Sequence, residues 1–240
     1  NKIELDTLIS NIDITSPLGV VVDFGIIISE EVIKSFNRGI VNSHFSLLPQ
    51  WRGADPISFS ILSGQDKTGV SLMVIEPSLD TGKLITQKSL KINPRETTPS
   101  LTNRLVELSN RLLKDYLPLY VAGNIKPKNQ PHPDRATYSR KLTKEDGIIV
   151  WSKPADQIER EIRAFIDWPK SRTTLASKDV IITEVKISKV NGKPGNISTL
   201  NKEIVVCCGE NALVISKLKP AGKKEMTSEG FIAGHKNLFN

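Results

Sequence analysis

"NSHFSLLPQWRGADP", residues 42–56, places three polar side chains two residues apart and then changes to an apolar segment that ends in proline. Successive side chains of an extended segment point to opposite faces, so Asn42, His44 and Ser46 are predicted to share one face. Polar groups at the end of an apolar strand are costly to bury unless they meet water, a partner or a ligand. The alternation therefore allows two interpretations, a polar loop that follows a strand or a binding site.

Strand and helix patterns alternate on both sides of this stretch. "LGVVVDF" (18–24) is a continuous apolar run, typical of a buried parallel strand, and "SEEVIKSFN" (29–37) has the capping serine and early acidic residues of a helix. The other predicted elements are strands over 39–44, 69–77 and 83–92, a helix over 55–64, and a long helix that begins at Thr98. This β-α-β-α-β order predicts an α/β fold.

A proline-rich segment separates two regions of different composition. "GNIKPKNQPHPD" (123–134) contains three prolines and one aliphatic residue, which indicates a semi-extended linker. We therefore predict a first domain over 1–123, a linker over 124–138 and a second domain over 139–240. The second region has one helical pattern and then short strand-like runs punctuated by Gly and Asn, which predicts a small β-barrel.

Positive charge is concentrated in the second region. The net charge of the chain is +7; residues 1–123 carry 12 Lys and Arg against 13 Asp and Glu, a net of −1, and residues 124–240 carry 21 against 13, a net of +8. Such asymmetry favours a polyanionic partner for the second region, because Lys and Arg neutralise phosphates and release counterions. The alternative is a solvated basic surface that maintains solubility.

Several classes of protein are excluded by the composition. The longest apolar run contains Asp23, so no membrane span is predicted, and no signal peptide is visible. Cys207 and Cys208 are adjacent, without the spacing of metal ligands or of a structural disulfide. We expect a cytoplasmic protein without a metal.

A carboxylate in the turn "SLDTG" (78–82) completes a candidate catalytic group. Ligands of open α/β sheets bind beyond the carboxyl ends of the strands, so Asp80 and His44 are predicted to lie side by side at one sheet edge. A neighbouring carboxylate fixes the tautomer of an imidazole and raises its pKa, which suits general acid–base chemistry. The Asn42 amide can donate to a developing oxyanion. Without a Cys or a suitably paired Ser as nucleophile, the group favours direct acyl transfer to a bound amine.

These residues also carry a resemblance to a known family. "NSHFSLLPQWRGADPI" (42–57) followed by "TGVSLMVIEPSLDTG" (68–82) resembles the formyltransferase family that uses 10-formyltetrahydrofolate. "YSRKLTKEDGIIVW" (138–151), "IRAFIDWPKS" (162–171) and "LKPAGKKEM" (218–226) are similar to the C-terminal domain of those members that formylate initiator methionyl-tRNA. Family members that formylate ribonucleotides or amino sugars share the first motif but lack this C-terminal set.

The resemblance implies a Rossmann-like doubly wound formyltransferase domain and a C-terminal OB-like β-barrel that binds tRNA. It implies an enzyme of translation initiation, monomeric when full length, which transfers a formyl group from 10-formyltetrahydrofolate to the α-amino group of initiator methionyl-tRNA. Asn42, His44 and Asp80 match its catalytic residues. The folate-binding segment is matched by Ser46, Leu47, Leu48 and Pro49.

Three basic residues are candidate contacts to tRNA. Arg52, after Trp51, could meet a phosphate or the tRNA end, or could be a turn residue before a helix. Lys223 and Lys224 match a family motif and could meet the RNA backbone, although paired lysines in a turn are also common on solvated surfaces. Asp80 likewise has an alternative role as a capping residue of an ordinary turn.

One departure from the family pattern leaves other functions open. Family members begin with a strand and a Gly-Thr-Pro turn and then carry a basic loop, whereas this chain starts inside what would be a later helix, so we expect the first β-α units to be missing. Asp55 adds a negative charge where a small residue is usual. The alternatives are a formyltransferase for an amino sugar or nucleotide, against which the basic second region argues, and a catalytically inactive RNA-binding remnant.

Overall fold

The computed structural model describes residues 2–175 and 177–235. Contacts between residues divide the chain into two compact units. Of the described residues, the first comprises 2–60, 65–94 and 100–141, and the second comprises 61–64, 95–99, 142–175 and 177–235. None of the helices within the described ranges is long and apolar enough to cross a membrane.

The first unit confirms the predicted α/β character. Its elements in chain order are α1 (Lys2–Ser10), β1 (Gly19–Val22), α2 (Glu30–Lys34), β2 (Ile40–His44), β3 (Arg52–Gly53), α3 (Pro56–Leu62), β4 (Lys67–Val74), β5 (Leu84–Lys91), α4 (Thr98–Val121) and β6 (Tyr138–Ser139). Helix α2 begins as its sequence predicts, because the Ser29 hydroxyl accepts a hydrogen bond from the Val32 N–H.

The four-stranded sheet of this unit is mixed, with the order β1-β2-β4-β5. Strands β1 and β2 are parallel, but β4 is antiparallel to both β2 and β5. The parallel direction predicted for the strand over 18–24 is therefore confirmed, whereas the pairs β2–β4 and β4–β5 are antiparallel. The burial predicted for that strand is wrong, because β1 lies at the edge of the sheet and Val20 and Val22 are 44% and 41% exposed. An apolar run also does not fix the direction of a strand in the sheet, and the connection 75–83 is short enough for an antiparallel pair.

Helix α4 covers one face of this sheet with a leucine-rich stripe. Its buried residues are Leu101, Leu105, Leu108, Ser109, Leu112 and Tyr120. Ser109 meets the face of β2 opposite to the candidate site, where its hydroxyl lies 2.7 Å from that of Ser43. The helix therefore satisfies the buried hydroxyl on one side of β2 and leaves Asn42 and His44 on the other.

Residues 124–138, predicted as a linker, pack along the first unit. Lys128 exchanges two backbone hydrogen bonds with Leu84, and β6 pairs in parallel with β3. The Thr137 N–H donates to the Pro49 carbonyl at 3.2 Å, and the Thr137 carbonyl accepts from the Arg52 N–H at 2.9 Å. Through these bonds the proline-rich segment becomes part of the surroundings of the candidate site.

The second unit is predominantly antiparallel β structure. Its elements are α5 (Ala155–Ala164), β7 (Arg172–Leu175), β8 (Lys178–Ser188), β9 (Ile197–Leu200), β10 (Glu203–Cys207), β11 (Ala212–Pro220), β12 (Met226–Thr227) and α6 (Ser228–Gly234). The sheet order is β7-β8-β11-β10-β9, and β12 pairs with β11. Helices α5 and α6 bury Ile158, Ile162 and Phe231 against this sheet. Cys207 and Cys208 are free thiols, and burial raises the pKa of Cys208 to about 11.

Candidate active site

Strand β2 places the first two polar residues of the opening stretch on one face, as predicted. In its antiparallel pairing with β4, Asn42 lies opposite Met73 and His44 lies opposite Ser71. Ser43, between them, points to the other face and meets Ser109. Asn42 is half-buried and its side-chain amide has no hydrogen-bond partner in the described part of the chain. That amide is available to donate to a bound group.

His44 is almost fully buried and is held by two groups. Its Nε2 lies 2.8 Å from the carbonyl oxygen of Trp51, and its Nδ1 lies 3.8 Å from Oδ2 of Asp80. A carbonyl can only accept, so Nε2 carries a proton. In the neutral ring, Nδ1 is then the unprotonated nitrogen, and it faces the carboxylate.

The pKa of the His44 imidazole is lowered. Burial is the main cause, and it outweighs the opposite effects of the Asp80 carboxylate and of the hydrogen bond to Trp51. The prediction of a raised pKa is therefore corrected, because a carboxylate at 3.8 Å compensates only part of the cost of burying a charged ring. A ring that is neutral at neutral pH is better suited to accept a proton than to stabilise an anion as a cation.

Asp80 reaches His44 by a route that differs from the predicted one. Because β4 is antiparallel to β2, its last residue pairs with Val41 near the start of β2, and the segment 75–83 returns towards His44. The Asp80 carboxylate accepts a 2.7 Å hydrogen bond from the Gly53 N–H. The predicted neighbourhood of Asp80 and His44 is thus present, but it is produced by a turn and not by two parallel strand ends.

The glycine of the "LDTG" motif is explained by a close approach of two backbone segments. A Cβ atom on Gly82 would collide with the carbonyl oxygen of Val74. Asp80, two residues earlier, has a φ of 50°, in the left-handed region that Asp tolerates better than most residues. The motif therefore encodes a tight turn, and the Asp80 carboxylate points away from this turn to the Gly53 N–H and to His44.

The segment Ser46–Pro49 is held in its fold by the buried hydroxyl of Ser71 and the half-buried amide of Gln87. The Ser71 hydroxyl donates to the Ser46 carbonyl at 2.7 Å and accepts from the Leu48 N–H at 3.1 Å. Gln87 donates through Nε2 to the Leu48 carbonyl at 2.9 Å and to the Ser71 hydroxyl at 2.8 Å. The Ser46 hydroxyl itself donates to the Gln50 carbonyl at 2.5 Å.

The same contacts limit what this segment can offer a ligand. The Ser46 and Leu48 side chains are buried, as is Pro49, whereas Leu47 is partly exposed. Both backbone polar groups of Leu48 are already hydrogen-bonded within the protein. The segment is therefore a pre-formed wall whose apolar contact to a ligand comes chiefly from Leu47.

Arg52 requires a correction as a candidate tRNA contact. Its side chain is 7% exposed, and its guanidinium donates through Nε and Nη2 to Oε1 of Gln130 at 3.3 and 2.8 Å. A guanidinium used in this way inside the protein is not presented to RNA. Lys223 and Lys224, in contrast, are exposed in the turn that follows β11.

Three neighbours of the site could not be found from the motifs. Gln130 lies in the proline-rich segment and donates to the backbone of the Asp80 turn. Gly53 is recognisable only as part of an Arg-Gly turn, and Leu79 is an exposed apolar residue next to Asp80. A single buried amide has no periodicity or spacing, so the sequence carries no signal for Gln130. The described residues also contain no group of three or more His, Cys, Asp or Glu side chains that could hold a metal ion.

The fold and the site together define a class of enzyme. A neutral imidazole beside a carboxylate, with an available amide on the same strand, is suited to acyl transfer to an amine. The Formyl transferase family matches residues 3–117, and the family Formyl transferase, C-terminal domain matches residues 141–236.

Curated relatives support this assignment over most of their length. Methionyl-tRNA formyltransferase of Myxococcus xanthus is 38% identical over 218 residues, which cover 90% of this chain and 70% of that protein. The enzyme of the same name from Geobacter metallireducens is 34% identical over 236 residues, 97% of this chain and 75% of that protein. The chain belongs to the formyl transferase family.

Solved structures show the same fold at low sequence identity. HypX from Aquifex aeolicus, in complex with tetrahydrofolic acid, has a TM-score of 0.69 at 16% identity. The match covers 93% of this chain and 39% of the HypX chain. The N-formyltransferase from Helicobacter canadensis, in complex with folinic acid and dTDP-3-aminofucose, has a TM-score of 0.64 at 19% identity, with 80% of this chain and 70% of its own covered.

Proposed function

We propose that this protein transfers a formyl group from 10-formyltetrahydrofolate to the α-amino group of initiator methionyl-tRNA, in the cytoplasm. The observation that carries the proposal is the buried His44–Asp80 pair beside the unpartnered amide of Asn42. The relatives named methionyl-tRNA formyltransferase, which match both regions of the chain, support this acceptor over an amino sugar or a nucleotide. The basic second region supports it as well, because its net charge is +8.

The proposed catalytic residues are Asn42, which acts on the formyl oxygen, and the pair His44 and Asp80, which acts on the amine proton. The folate supplies an electrophilic formyl carbonyl. The Asn42 amide donates to the formyl oxygen, where negative charge develops during attack by the amine. The neutral His44 ring and Asp80 together accept the proton that the attacking amine loses, and Asp80 holds this proton close to Nδ1. When the tetrahedral intermediate collapses, the bond between the formyl carbon and N10 breaks, and the proton passes to N10 as tetrahydrofolate leaves. No side chain forms a covalent bond with the formyl group.

The remaining contacts are proposed from exposure and charge. Leu47 and Leu79 provide apolar surface for the flat pterin, while Ser46, Leu48 and Pro49 keep Leu47 in place. Lys223 and Lys224 contact the RNA backbone. We also propose that the sheet of the second unit forms an OB-like barrel, that residues 139–240 are the tRNA-binding domain, and that the first unit represents part of a Rossmann-like doubly wound domain.

The test is a formylation assay with alternative acceptors. The protein is incubated with 10-formyltetrahydrofolate and, separately, with methionyl-tRNA, a dTDP-amino sugar and an amino ribonucleotide, and each product is identified by mass. Formyl transfer to methionyl-tRNA alone is expected. Transfer to the sugar or nucleotide in preference to methionyl-tRNA would replace the proposed acceptor. Binding of methionyl-tRNA without formylation of any of the three acceptors would indicate an inactive RNA-binding protein.

A further inference from the structure

The side-chain amide of Gln130 is buried and fully hydrogen-bonded. Its Nε2 donates to the Asp80 carbonyl at 2.7 Å and to the Gly82 carbonyl at 2.9 Å. Its Oε1 accepts the two bonds from the Arg52 guanidinium. Carbonyls only accept and a guanidinium only donates, so these partners permit one orientation of the amide. A side chain of 6% exposure that uses every donor and acceptor is a fixed point in the structure.

Gln130 connects two segments that each hold one member of the catalytic pair. The segment Trp51–Gly53 holds His44 through the Trp51 carbonyl and holds the Asp80 carboxylate through the Gly53 N–H. Gln130 binds the backbone of the Asp80 turn with its Nε2 and the side chain of Arg52 with its Oε1. Arg52 lies between Trp51 and Gly53, so Gln130 connects the turn to the same segment. The position of the carboxylate relative to the imidazole is therefore fixed by a closed circuit of hydrogen bonds that includes Gln130.

Arg52 makes this circuit sensitive to the loss of the amide. Within the described residues no carboxylate lies within 4.0 Å of its guanidinium, and its other hydrogen-bond partner is the Tyr138 hydroxyl at 3.5 Å. Without Gln130, the buried Arg52 guanidinium loses its principal acceptor. The Asp80 carboxylate, bound to the neighbouring Gly53 N–H, is then a candidate to replace it. A carboxylate is a stronger acceptor for a guanidinium than an amide, so Asp80 would turn from His44 towards Arg52.

We propose that Gln130 is a positioning residue for the His44–Asp80 pair: it holds the Asp80 turn in register with the segment Trp51–Gly53 and keeps Arg52 from capturing the carboxylate. The inference rests on the proposed formyl transfer for its effect on turnover, but its geometric part does not. It assigns a catalytic support role to the proline-rich segment that precedes β6.

The kinetic experiment compares Gln130→Met with Gln157→Met in the full chain. Gln157 is a half-buried glutamine of α5 that donates to Glu161, so its substitution controls for loss of a glutamine amide. Displacement of a catalytic group by about 1 Å costs about 10²-fold in rate, so kcat of Gln130→Met is expected to fall by that order with little change in the KM for 10-formyltetrahydrofolate. Gln157→Met is expected to keep wild-type kcat.

A double mutant separates positioning from general damage. If Gln130 acts through Asp80, Gln130→Met combined with Asp80→Asn is expected to be no slower than Asp80→Asn alone. Multiplicative losses, or a wild-type kcat in Gln130→Met, would overturn the proposal. Gln130→Glu covers the case in which Gln130→Met does not fold: it keeps an acceptor for Arg52 but loses both donors to the Asp80 turn, and the same loss of kcat is expected.

A readout without substrate distinguishes failure of this inference from failure of the proposed function. The Asp80 carboxylate raises the pKa of His44, so its displacement should lower the pKa of that imidazole in Gln130→Met, as in Asp80→Asn. NMR titration measures this, with His44 assigned by its absence in His44→Gln. An unchanged His44 pKa in a folded Gln130→Met protein would contradict positioning even if formylation is confirmed, and a lowered pKa would support it even if another acceptor proves correct.

Discussion

At the scale of single residues, the state of His44 follows from what surrounds each ring nitrogen. The Trp51 carbonyl fixes the proton on Nε2, and this leaves Nδ1 as the basic atom next to Asp80. Burial disfavours a second proton on the ring, so the histidine is neutral at neutral pH. An imidazole in this state can receive a proton without an earlier deprotonation step, which is what attack by an amine requires.

The lowered pKa of His44 predicts a pH-dependent loss of stability. The unfolded state titrates near 6.5 and the folded state below it, so the unfolded state binds more protons as the pH falls through this window. The contribution of His44 to the free energy of unfolding is fully present above pH 6.5 and is lost progressively as the pH falls towards the pKa of the folded state. Urea unfolding at several pH values should show a steeper loss below pH 6.5 in the wild type than in His44→Gln. Parallel curves for the two proteins would contradict the lowered pKa.

Asn42 gives a sharper kinetic prediction, because its amide has no other task in the described structure. Asn42→Ala should lower the single-turnover rate of formylation about 10²- to 10³-fold, the effect of removing one oxyanion donor. Folate affinity, measured by fluorescence quenching, should change little, since the amide acts on developing charge. Asn42→Asp retains the size of the side chain but not the donor and should lose as much. A near-normal rate in either variant would remove Asn42 from the catalytic group.

At the scale of elements, the direction of the strands in the sheet, and not the hydrophobic periodicity of the sequence, determines how the site is assembled. The sequence predicted the order of the main strands and helices in the first unit, the start of α4 at Thr98 and the shared face of Asn42 and His44, because these follow from local patterns. It did not predict that β4 is antiparallel, because hydrophobic alternation is the same in both directions. It also missed Gln87 and Gln130, since a lone polar residue in a strand or a proline-rich segment gives no sign that it will hold the backbone of another segment.

The Asp80 turn depends on a glycine, and this can be tested with a matched pair of substitutions. Gly82→Ala introduces a Cβ that collides with the Val74 carbonyl, so the turn must move. We expect a destabilisation of about 1–3 kcal/mol, the usual range for added atoms at a tightly packed position, together with reduced turnover. Gly25→Ala is the control, because a Cβ there meets no heavy atom within 4 Å. Chemical denaturation of both variants provides the measurement, and equal stability would contradict the steric explanation.

At the scale of the whole molecule, positive charge is distributed unevenly along the chain. The catalytic group lies in the first region, which is almost neutral, whereas the excess of Lys and Arg lies after residue 123. Phosphate contacts dominate the affinity of proteins for nucleic acids, and they depend strongly on salt. Recognition of tRNA and formyl transfer are therefore expected to respond to different substitutions.

Replacing Lys223 and Lys224 together by alanine tests this separation. Each phosphate contact contributes about 0.7–0.9 to the slope of log affinity against log salt, so the double variant should bind tRNA more weakly and with a slope smaller by up to about 2. Folate binding should be unchanged. Lys67→Ala with Lys91→Ala is the control, because these exposed lysines face each other across β4 and β5 and their loss removes the same net charge from the first unit. If both double variants shift the slope equally, the effect is one of total charge, and the turn after β11 has no specific role in binding RNA.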